Sequence, residues 1–349
     1  MKPARAPRDA RSGGRLLHVD VARERVEDRR ALELPELLRS GDLLVLNDAA
    51  TLPASLAGRA GSEPIELRLL GREADGSWRA VAFGAGDWQT PTEQRAAAPR
   101  LVAGTSLQLG ELSATIEEVS PLSSRLWRVR FAEQGARFWS GLYRSGQPVQ
   151  YSYLARPLQL WDVQTAYAAA PWAVEAPSAG YPLAAELLLK LRQRGVELAR
   201  ITHAAGLSST GDAALDAALP LAERSLVPER TVAVLRAARG AGRRVVAVGT
   251  SVVRALEGRA LEGGGELRAG ESSTTLILGP GYQRRVVDAL LTGMHDPTES
   301  HYALLQAFAP RPLLEQAQLR AEAWGYLGHE FGDACLIDAR IQPSHLSAG

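Results

Sequence analysis

The sequence predicts an α/β protein that carries a smaller antiparallel β domain. The chain has 349 residues, which is enough for about two domains with hydrophobic cores of their own. Between residues 61 and 138, apolar and polar side chains alternate with a period of two, as they do in half-buried strands. From about residue 162 onward, buried-strand patterns alternate with amphipathic helical patterns. That alternation is typical of an α/β layer with parallel strands.

Short apolar runs separated by turn residues occupy the amino-terminal part. Leu34–Arg39 predicts a short helical turn, Ser40–Asp42 a turn and Leu43–Leu46 a buried strand. In the β domain, residues 65–69 and 127–131 alternate strictly between apolar and polar side chains. Glycine-rich gaps separate such runs, which favours a small barrel or sandwich of antiparallel strands.

The carboxyl-terminal part is predicted to consist of strands and helices in alternation. Gly195 ends the first of these helices, and Pro228 suits the first turn of the second. Helices are predicted at residues 184–194, 228–242, 251–257, 300–308 and 313–324, and strands at residues 196–203, 243–249, 274–279 and 286–291.

Charge and cysteine content exclude several classes of protein. The 40 basic and 39 acidic residues give a net charge of +1, so no overall basic field indicates nucleic acid. The single cysteine, Cys335, excludes an intrachain disulfide and a cysteine-based zinc site, and we expect a cytoplasmic protein. No apolar run reaches the roughly 20 residues that span a bilayer, so no membrane partner is expected.

The run "VVAVGTSVVRALE" contains the best-defined local site of the sequence. A buried strand leads through Gly249, Thr250 and Ser251 directly into a helix. Free backbone N–H groups and two hydroxyls at a helix N-terminus suit a carboxylate or a phosphate. Arg254 and Glu257 lie about one turn further along this helix. An ordinary strand–turn–helix junction with Ser or Thr as the N-cap would give the same pattern.

A second candidate site is the small-residue loop "APSAGY". Small residues let a backbone approach a ligand closely, and Tyr181 or Trp172 has a ring that suits stacking on an adenine or facing a sulfonium. A tight loop whose aromatic residues fill the core is the competing interpretation. The candidate ligand-binding residues of this loop are Pro177, Ser178, Ala179, Gly180 and Tyr181.

Two histidines are candidates for proton transfer. His203 ends a predicted strand, at the edge where α/β proteins bind ligands. The run "GMHDPTESH" brings His295 and Glu299 into one short segment. Structural hydrogen bonding at His203 and a helix-capping loop at residues 293–301 are the alternatives. The six histidines show no metal-ligand spacing, so no metal is expected.

Taken together, the motifs resemble the S-adenosylmethionine:tRNA ribosyltransferase-isomerase family of queuosine biosynthesis. The resemblance implies an α/β fold, with an α/β-barrel-like main domain formed by residues 1–60 and 150–349 and a small antiparallel β-barrel inserted at residues 61–149. The segments that carry the resemblance, in the family's order, are "PRDARSGGRLLHVD", "GDLLVLND", "LPASLAG", "VQTAYAAAPWAVEAPSAG", "RRVVAVGTSVVRALE", "PGYQRRVVDALLTGMHDP" and "FGDACLI".

The resemblance also implies a reaction. The family uses S-adenosylmethionine as a ribosyl donor: a base removes a C5′ proton that the sulfonium acidifies, and adenine and methionine leave. The ribosyl carbons end as an epoxycyclopentanediol on the amine of a deazaguanine in a tRNA anticodon, without a metal.

Family positions point to particular residues of this chain. Asn47 and Asp48 of "LND" are expected at the S-adenosylmethionine site. His203 and His295 align with family histidines, and His203 is our first candidate for the base. Asp288 and Glu299 lie near His295 in the sequence and are candidates to orient or replace it.

The chain departs from the family pattern at several polar positions. Pro182 replaces a histidine, and Ala49–Thr51 replaces the segment with the arginine expected after "LND". Residues 218–223 keep the glutamate of a family motif but lose its two histidines, and residues 327–334 lose a basic aromatic pattern. We therefore expect a S-adenosylmethionine-using enzyme with a changed acceptor or reaction, such as a small-molecule step. A genuine tRNA enzyme and a non-catalytic S-adenosylmethionine- or nucleoside-binding homologue are the alternatives.

Overall fold

A nine-stranded mixed sheet and a closed β-barrel make up most of the protein. The structure is a computed structural model that describes residues 1–297 and 300–340. Its strands, in chain order, are β1 (Lys2–Pro3), β2 (Arg15–Asp20), β3 (Arg25–Arg30), β4 (Leu43–Asn47), β5 (Ala49–Thr51), β6 (Ser55–Ala60), β7 (Glu63–Arg72), β8 (Trp78–Phe83), β9 (Ser106–Leu109), β10 (Leu112–Val119), β11 (Leu126–Phe131), β12 (Gly146–Gln147), β13 (Ala170–Ala173), β14 (Glu197–His203), β15 (Glu223–Val227), β16 (Val245–Val248), β17 (Gly270–Thr274), β18 (Ala289–Gly293), β19 (Leu327–Gly328) and β20 (Ala334–Asp338).

The helices lie between these strands, and most of them belong to the main domain. They are α1 (Leu34–Leu37), α2 (Gly135–Ser145), α3 (Ala185–Gln193), α4 (Ala213–Ala217), α5 (Glu229–Gly240), α6 (Thr250–Glu262), α7 (Ser300–Leu305) and α8 (Arg311–Ala323). A short 3-10 turn at Ser178–Gly180 precedes α3.

The centre of the main sheet consists of four parallel strands. The strand order is β17-β15-β14-β4-β16-β18-β20-β2-β3, and β14, β4, β16 and β18 run in one direction. Leu44 and Leu46 of β4 pack towards α1 and α3, whereas Leu43 and Val45 belong to the core formed with α5, α6 and α8. Both faces of the central strands are therefore covered, as a parallel sheet requires. Among the described residues, the end strands β17 and β3 do not pair with each other.

The inserted domain is a six-stranded antiparallel barrel. Strands β6, β7, β8, β11, β10 and β9 pair in that order, and Arg59 of β6 pairs with Gln108 of β9 to close the ring. Gly58 lies at this closure, where a Cβ atom would meet the backbone oxygen of Gln108 at 2.1 Å. Helix α2 packs Phe138 against Trp78 and Phe131 of the barrel, with ring centroids 5.5 Å and 5.0 Å away.

Most sequence expectations for the fold agree with these elements. The α/β class with an inserted antiparallel β-barrel is confirmed, and the predicted helices of the carboxyl-terminal part overlap α3, α5, α6, α7 and α8. The domain boundaries at residues 61 and 149 stay predictions; the barrel takes its first strand from Ser55–Ala60.

One predicted strand is wrong. The observed strand β17 covers Gly270–Thr274 and ends where the predicted strand begins. Residues 275–279 therefore lie beyond its end and form no strand. Leu278 is buried in the core instead, and the carbonyl of Leu276 accepts a hydrogen bond from Arg254. Leu276 and Leu278 therefore pack into the core cluster that includes α6, whereas Ile277 is exposed.

Gly58→Ala is expected to destabilise the protein by about 1–3 kcal/mol, because the added methyl group forces β6 and β9 apart. Chemical denaturation of the variant and the wild type measures this difference. Gly71→Ala in β7 is the matched control, since a Cβ there meets no atom within 4 Å. Equal stability of the Gly58 variant and the wild type would contradict the barrel closure.

Candidate active site

Parallel strands bring several predicted site residues to one edge of the main sheet. His203 ends β14, Asn47 ends β4, Gly249 follows β16 and Gly293 ends β18. Because these four strands are neighbours and parallel, their carboxyl ends lie side by side. Ligands of open α/β sheets bind at this kind of edge.

Asn47 connects two of these strand ends to helix α6. Its Oδ1 atom accepts hydrogen bonds from the backbone N–H groups of His203 (2.9 Å) and Ala49 (3.1 Å). Its Nδ2 atom donates to the carbonyl of His203 (3.0 Å) and to the hydroxyl of Ser251 (3.3 Å). Asn47 is buried, so its amide fixes the relative positions of β14 and the start of α6.

The side chain of His203 forms a buried pair with Glu223. The His203 Nε2 atom lies 2.8 Å from Glu223 Oε2, and the ring is fully buried. An ionised Glu223 accepts the Nε2–H group, which leaves the lone pair of the neutral ring on Nδ1. Nδ1 has no hydrogen-bond partner among the described residues. This is the arrangement of a histidine base oriented by a carboxylate.

Arg254 completes the cluster by holding Glu223. Its Nη1 atom is hydrogen-bonded to Glu223, and its Nε atom donates to the carbonyl of Leu276 (3.1 Å). Burial favours a high pKa for Glu223, but the hydrogen bond from His203, the charge that His203 carries when protonated, the charge of Arg254 and the N–H group of Gly206 (3.0 Å) lower the pKa to about 2. Glu223 is therefore ionised at neutral pH, and Arg254 mainly holds this carboxylate.

The start of α6 offers unused backbone donors. Gly249 is the N-cap, with a φ of +92° and no side-chain cap, which differs from the alternative in which Ser or Thr caps the helix. Within the described residues, the N–H groups of Thr250 and Ser251 have no acceptor. A 13-residue helix thus points its positive end at the sheet edge.

The small-residue loop and the start of α6 lie against each other. A Cβ placed on Gly249 would lie 3.5 Å from the Cβ atom of Ala179, so the loop and the helix are in close contact. Tyr181 stacks on Phe331 (centroid distance 5.3 Å, interplanar angle 4°), so this face of its ring is occupied by protein. Trp172 lies under the guanidinium of Arg224 (3.9 Å).

The other residues of this loop differ in exposure. Pro177 and Ser178 are half-buried, and Gly180 is buried with its Cα against the hydroxyl of Tyr167, where a Cβ would meet that oxygen at 2.0 Å. The loop therefore has no room for a side chain at Gly180, because this glycine packs against Tyr167, as in the tight-loop interpretation.

Two predicted catalytic or binding residues lie elsewhere or have another role. Glu257 accepts the N–H groups of residues 285, 286 and 287, so its carboxylate holds that segment rather than a ligand. Asp288 precedes β18 and accepts the N–H group of Val245, at the amino end of the parallel strands. The five residues of β18, ~16 Å of extended chain, separate Asp288 from His295, so Asp288 does not orient that ring.

The remaining candidates lie near the edge or outside the described residues. His295 follows β18, and its Nε2 atom lies 2.8 Å from the hydroxyl of Thr292. Asp48 accepts the hydroxyl of Thr202 at 2.6 Å and so supports the end of β14. Glu299 lies outside the described residues.

Neither a metal centre nor a membrane span is evident in the part of the chain that the structure describes. The described residues contain no group of three or more His, Cys, Asp or Glu side chains that fits a metal ion. No helix among them has the length and apolar character needed to cross a bilayer.

A family model described as "Queuosine biosynthesis protein" matches residues 2–337. The chain belongs to this queuosine biosynthesis family. A relative from Gluconacetobacter diazotrophicus, named S-adenosylmethionine:tRNA ribosyltransferase-isomerase, is 36% identical over 96% of this chain and 91% of its own length. A relative from Rubrobacter xylanophilus with the same name is 35% identical over 96% of this chain and 93% of its own length.

A solved structure of similar fold agrees with this assignment. The S-adenosylmethionine tRNA ribosyltransferase of Thermotoga maritima is 28% identical to this chain, with a TM-score of 0.52. The match covers 96% of this chain and 95% of that chain. The family resemblance inferred from the motifs is thereby confirmed.

Glu223 is a residue of this cluster that was not among the residues predicted from the sequence. A signal existed, because the segment at residues 218–223 keeps the glutamate of a family motif while losing both histidines. The sequence alone does not reveal that this glutamate contacts His203, 20 residues earlier, and Arg254, 31 residues later.

The low pKa of Glu223 predicts how stability depends on pH. Lowering the pKa from 4.5 to about 2 contributes up to about 3 kcal/mol above pH 4.5, and this stability is lost as the pH falls towards 2. Glu223→Gln is expected to lower stability at pH 7 by about 3 kcal/mol, because it leaves Arg254 buried without its counter-ion. Its stability should also change less between pH 5 and 3 than that of the wild type.

Urea denaturation at pH 7, 5 and 3 measures both effects. Glu63→Gln, at an exposed position, is the matched control and should behave like the wild type. An unchanged free energy of unfolding at pH 7 for Glu223→Gln would contradict a stabilising ion pair at this position.

Proposed function

We propose that this chain transfers and isomerises the ribosyl part of S-adenosylmethionine onto a deazaguanine base in a tRNA anticodon. The names of relatives that match 96% of the chain support the donor and the acceptor. The observation that carries the chemistry is the His203–Glu223–Arg254 cluster at the carboxyl edge of the parallel strands. This cluster supports an oriented base at His203, the position that aligns with a family histidine.

The donor is proposed to bind between the loop at residues 177–181 and the start of α6. The contact between Ala179 and Gly249 joins these two small-residue segments, so a ligand that touches one lies near the other. The free N–H groups of Thr250 and Ser251 suit the carboxylate of the methionine part. Asn47 and Asp48 then hold the strand ends beneath the ligand.

The first chemical step is proposed to be proton removal from C5′ by the Nδ1 atom of His203. The C5′–H bond breaks, the proton moves to Nδ1, and the electron pair stays on the carbon next to the sulfonium. The imidazolium that forms is stabilised by the ionised Glu223, which keeps its hydrogen bond to Nε2. Because the ring is fully buried without ligand, the segment that follows His203 has to open when the donor binds. Adenine and methionine leave in the later steps.

A changed acceptor is the second candidate function. The observation that favours it is the segment Ala49–Thr51, a strand paired with β13 that carries no basic side chain where the family has an arginine. The net charge of +1 likewise offers no strong overall attraction for a polyanion. In that case the donor chemistry stays the same and a small molecule takes the place of tRNA.

Mass spectrometry of reaction mixtures tests the proposal. The protein is incubated with S-adenosylmethionine, with and without tRNA that carries the aminomethyl-deazaguanine base. Adenine and methionine release together with a ribosyl-derived mass on the tRNA is the expected result. Release of adenine without mass transfer to the tRNA would favour the changed acceptor, and no consumption of S-adenosylmethionine in either mixture would overturn the proposal.

His203→Gln is expected to reduce turnover on the order of a hundredfold or more while S-adenosylmethionine affinity stays within about twofold. Glutamine can still donate a hydrogen bond to Glu223 but cannot accept a proton at neutral pH. Single-turnover assays and calorimetry measure the two quantities. His18→Gln, which changes a histidine of β2 in the same sheet, is the matched control.

The same assays on His295→Gln distinguish the two candidate bases. Normal turnover in His203→Gln combined with a large loss in His295→Gln would move the base to the segment after β18. Normal turnover in both variants would remove histidine from the proton-transfer step.

A further inference from the structure

A second feature of the molecule is a cavity beside the loop at residues 177–181, which we call the arm cavity. Its walls are the amino-terminal arm at residues 7–15, the loop residues Ser178–Pro182 and the turn at residues 329–334. Gly293, at the end of β18, also lines it, so the cavity adjoins the carboxyl edge of the sheet. The proposed chemistry at His203 does not use this cavity.

The turn that forms one wall is held rigidly. His329 has a φ of +64°, its ring packs on Tyr153 at 4.4 Å, and its carbonyl accepts the N–H group of Gly332 (2.9 Å). A Cβ on Gly332 would lie 2.4 Å from the backbone oxygen of Leu327, so only glycine fits there. Glu330 lies at the centre of this turn, in a position that the backbone fixes.

Asp333 anchors the turn to the amino-terminal arm. Its carboxylate accepts the N–H groups of Leu327 (2.9 Å) and Arg15 (2.8 Å) and the Nη2 group of Arg8 (2.6 Å). Strand β1 also pairs with β19 next to the turn. The arm and the turn therefore form one unit around the cavity.

Among the residues that the structure describes, Glu330 is the acidic group of the cavity that pairs with no cation. Its Oε2 atom is shielded from solvent and has no hydrogen-bond partner among the described residues. Burial raises the pKa of Glu330 to about 7. A carboxylate placed in this way costs stability when it is ionised, and a bound cation would offset that cost.

The other charged groups that line the cavity are engaged by protein. Asp162 pairs with Arg156 (2.8 Å), and Arg15 pairs with Asp28 (2.6 Å). Arg11 donates to the carbonyls of Gln164 and Trp161. Arg8 pairs with Asp333 but keeps one buried Nε–H group without an acceptor. The titratable or charged groups that line the cavity around Glu330 are thus Arg8, Arg11, Arg15, Asp162, Tyr181, His329 and Asp333.

We propose that the arm cavity binds a protonated primary amine of the substrate through the carboxylate of Glu330. The inference rests on the proposed function, in which two substrates carry such a group. These are the α-ammonium of S-adenosylmethionine and the aminomethyl group of the deazaguanine base. Either ammonium provides the N–H donors and the positive charge that Glu330 lacks.

Calorimetric titrations with three probes test this assignment. S-adenosylmethionine and free 7-aminomethyl-7-deazaguanine carry the amine, whereas methylthioadenosine lacks it. The wild type, Glu330→Gln and the exposed control Glu315→Gln are titrated at pH 8 with each probe. A thermal melt checks the fold, and Glu330→Gln is expected to melt higher than the wild type at pH 8, because it removes a buried charge.

At pH 8, Glu330→Gln is expected to lose tenfold or more in affinity for one amine probe and none for methylthioadenosine. The amine probe that loses affinity identifies the source. The affinity of the wild type for this probe should rise from pH 6 to pH 8 as Glu330 ionises. The same rise is expected for His329→Gln. The affinity of Glu330→Gln should not rise.

Two results would overturn the proposal. Equal affinities of Glu330→Gln and the wild type for both amine probes would remove Glu330 from the ligand site. Failure of both amine probes to bind the wild type would show that the arm cavity is not a binding site for these amines. If the wild type turns over S-adenosylmethionine, equal affinities of Glu330→Gln and the wild type overturn this inference alone. If the wild type neither binds nor turns over S-adenosylmethionine, the proposed function fails as well.

Discussion

The site depends on the ion pair and hydrogen bonds that the buried carboxylate of Glu223 forms. Glu223 is the first residue of β15. Its carboxylate accepts hydrogen bonds from His203 at the end of β14, from Arg254 of α6 and from the backbone N–H group of Gly206. An ionised group at this depth is stable only because these donors surround it. Glu223 in turn accepts the Nε2–H group of His203 and holds this ring in one orientation, so the cluster that stabilises the fold also orients the proposed base.

Strand direction explains why these groups meet. In a parallel sheet, residues between 46 and 202 positions apart in the sequence reach the same edge when each lies at the carboxyl end of its strand, as Asn47, His203 and Gly249 do. The amide of Asn47 then fixes the spacing between two of these strand ends and Ser251. Small residues at Ala179 and Gly249 let the neighbouring loop come into close contact with the helix start.

The sequence predicted most of what depends on local pattern. Apolar periodicity was sufficient for α3, α5, α6, α7 and α8 and for the alternating strands of the barrel, since it records burial along a single element, but it did not predict α2 or α4. It failed at residues 274–279, where Leu276 and Leu278 pack into the core without a strand partner. Proximity in the sequence was a poor guide to the site: Asp288 is seven residues from His295 but lies at the other end of β18. Glu330 was missed because neither composition nor spacing reveals which carboxylate lacks a cation.

The fate of the C5′ hydrogens tests the central claim most directly. S-adenosylmethionine with deuterium at both C5′ positions is incubated with the protein and the acceptor tRNA, and the deuterium content of the transferred ribosyl carbons is measured by mass spectrometry. The account predicts that one deuterium is lost from each transferred group and that His203→Gln abolishes this loss together with transfer. Full retention of both deuterium atoms in the wild-type product would show that no base removes a C5′ proton and would contradict the account.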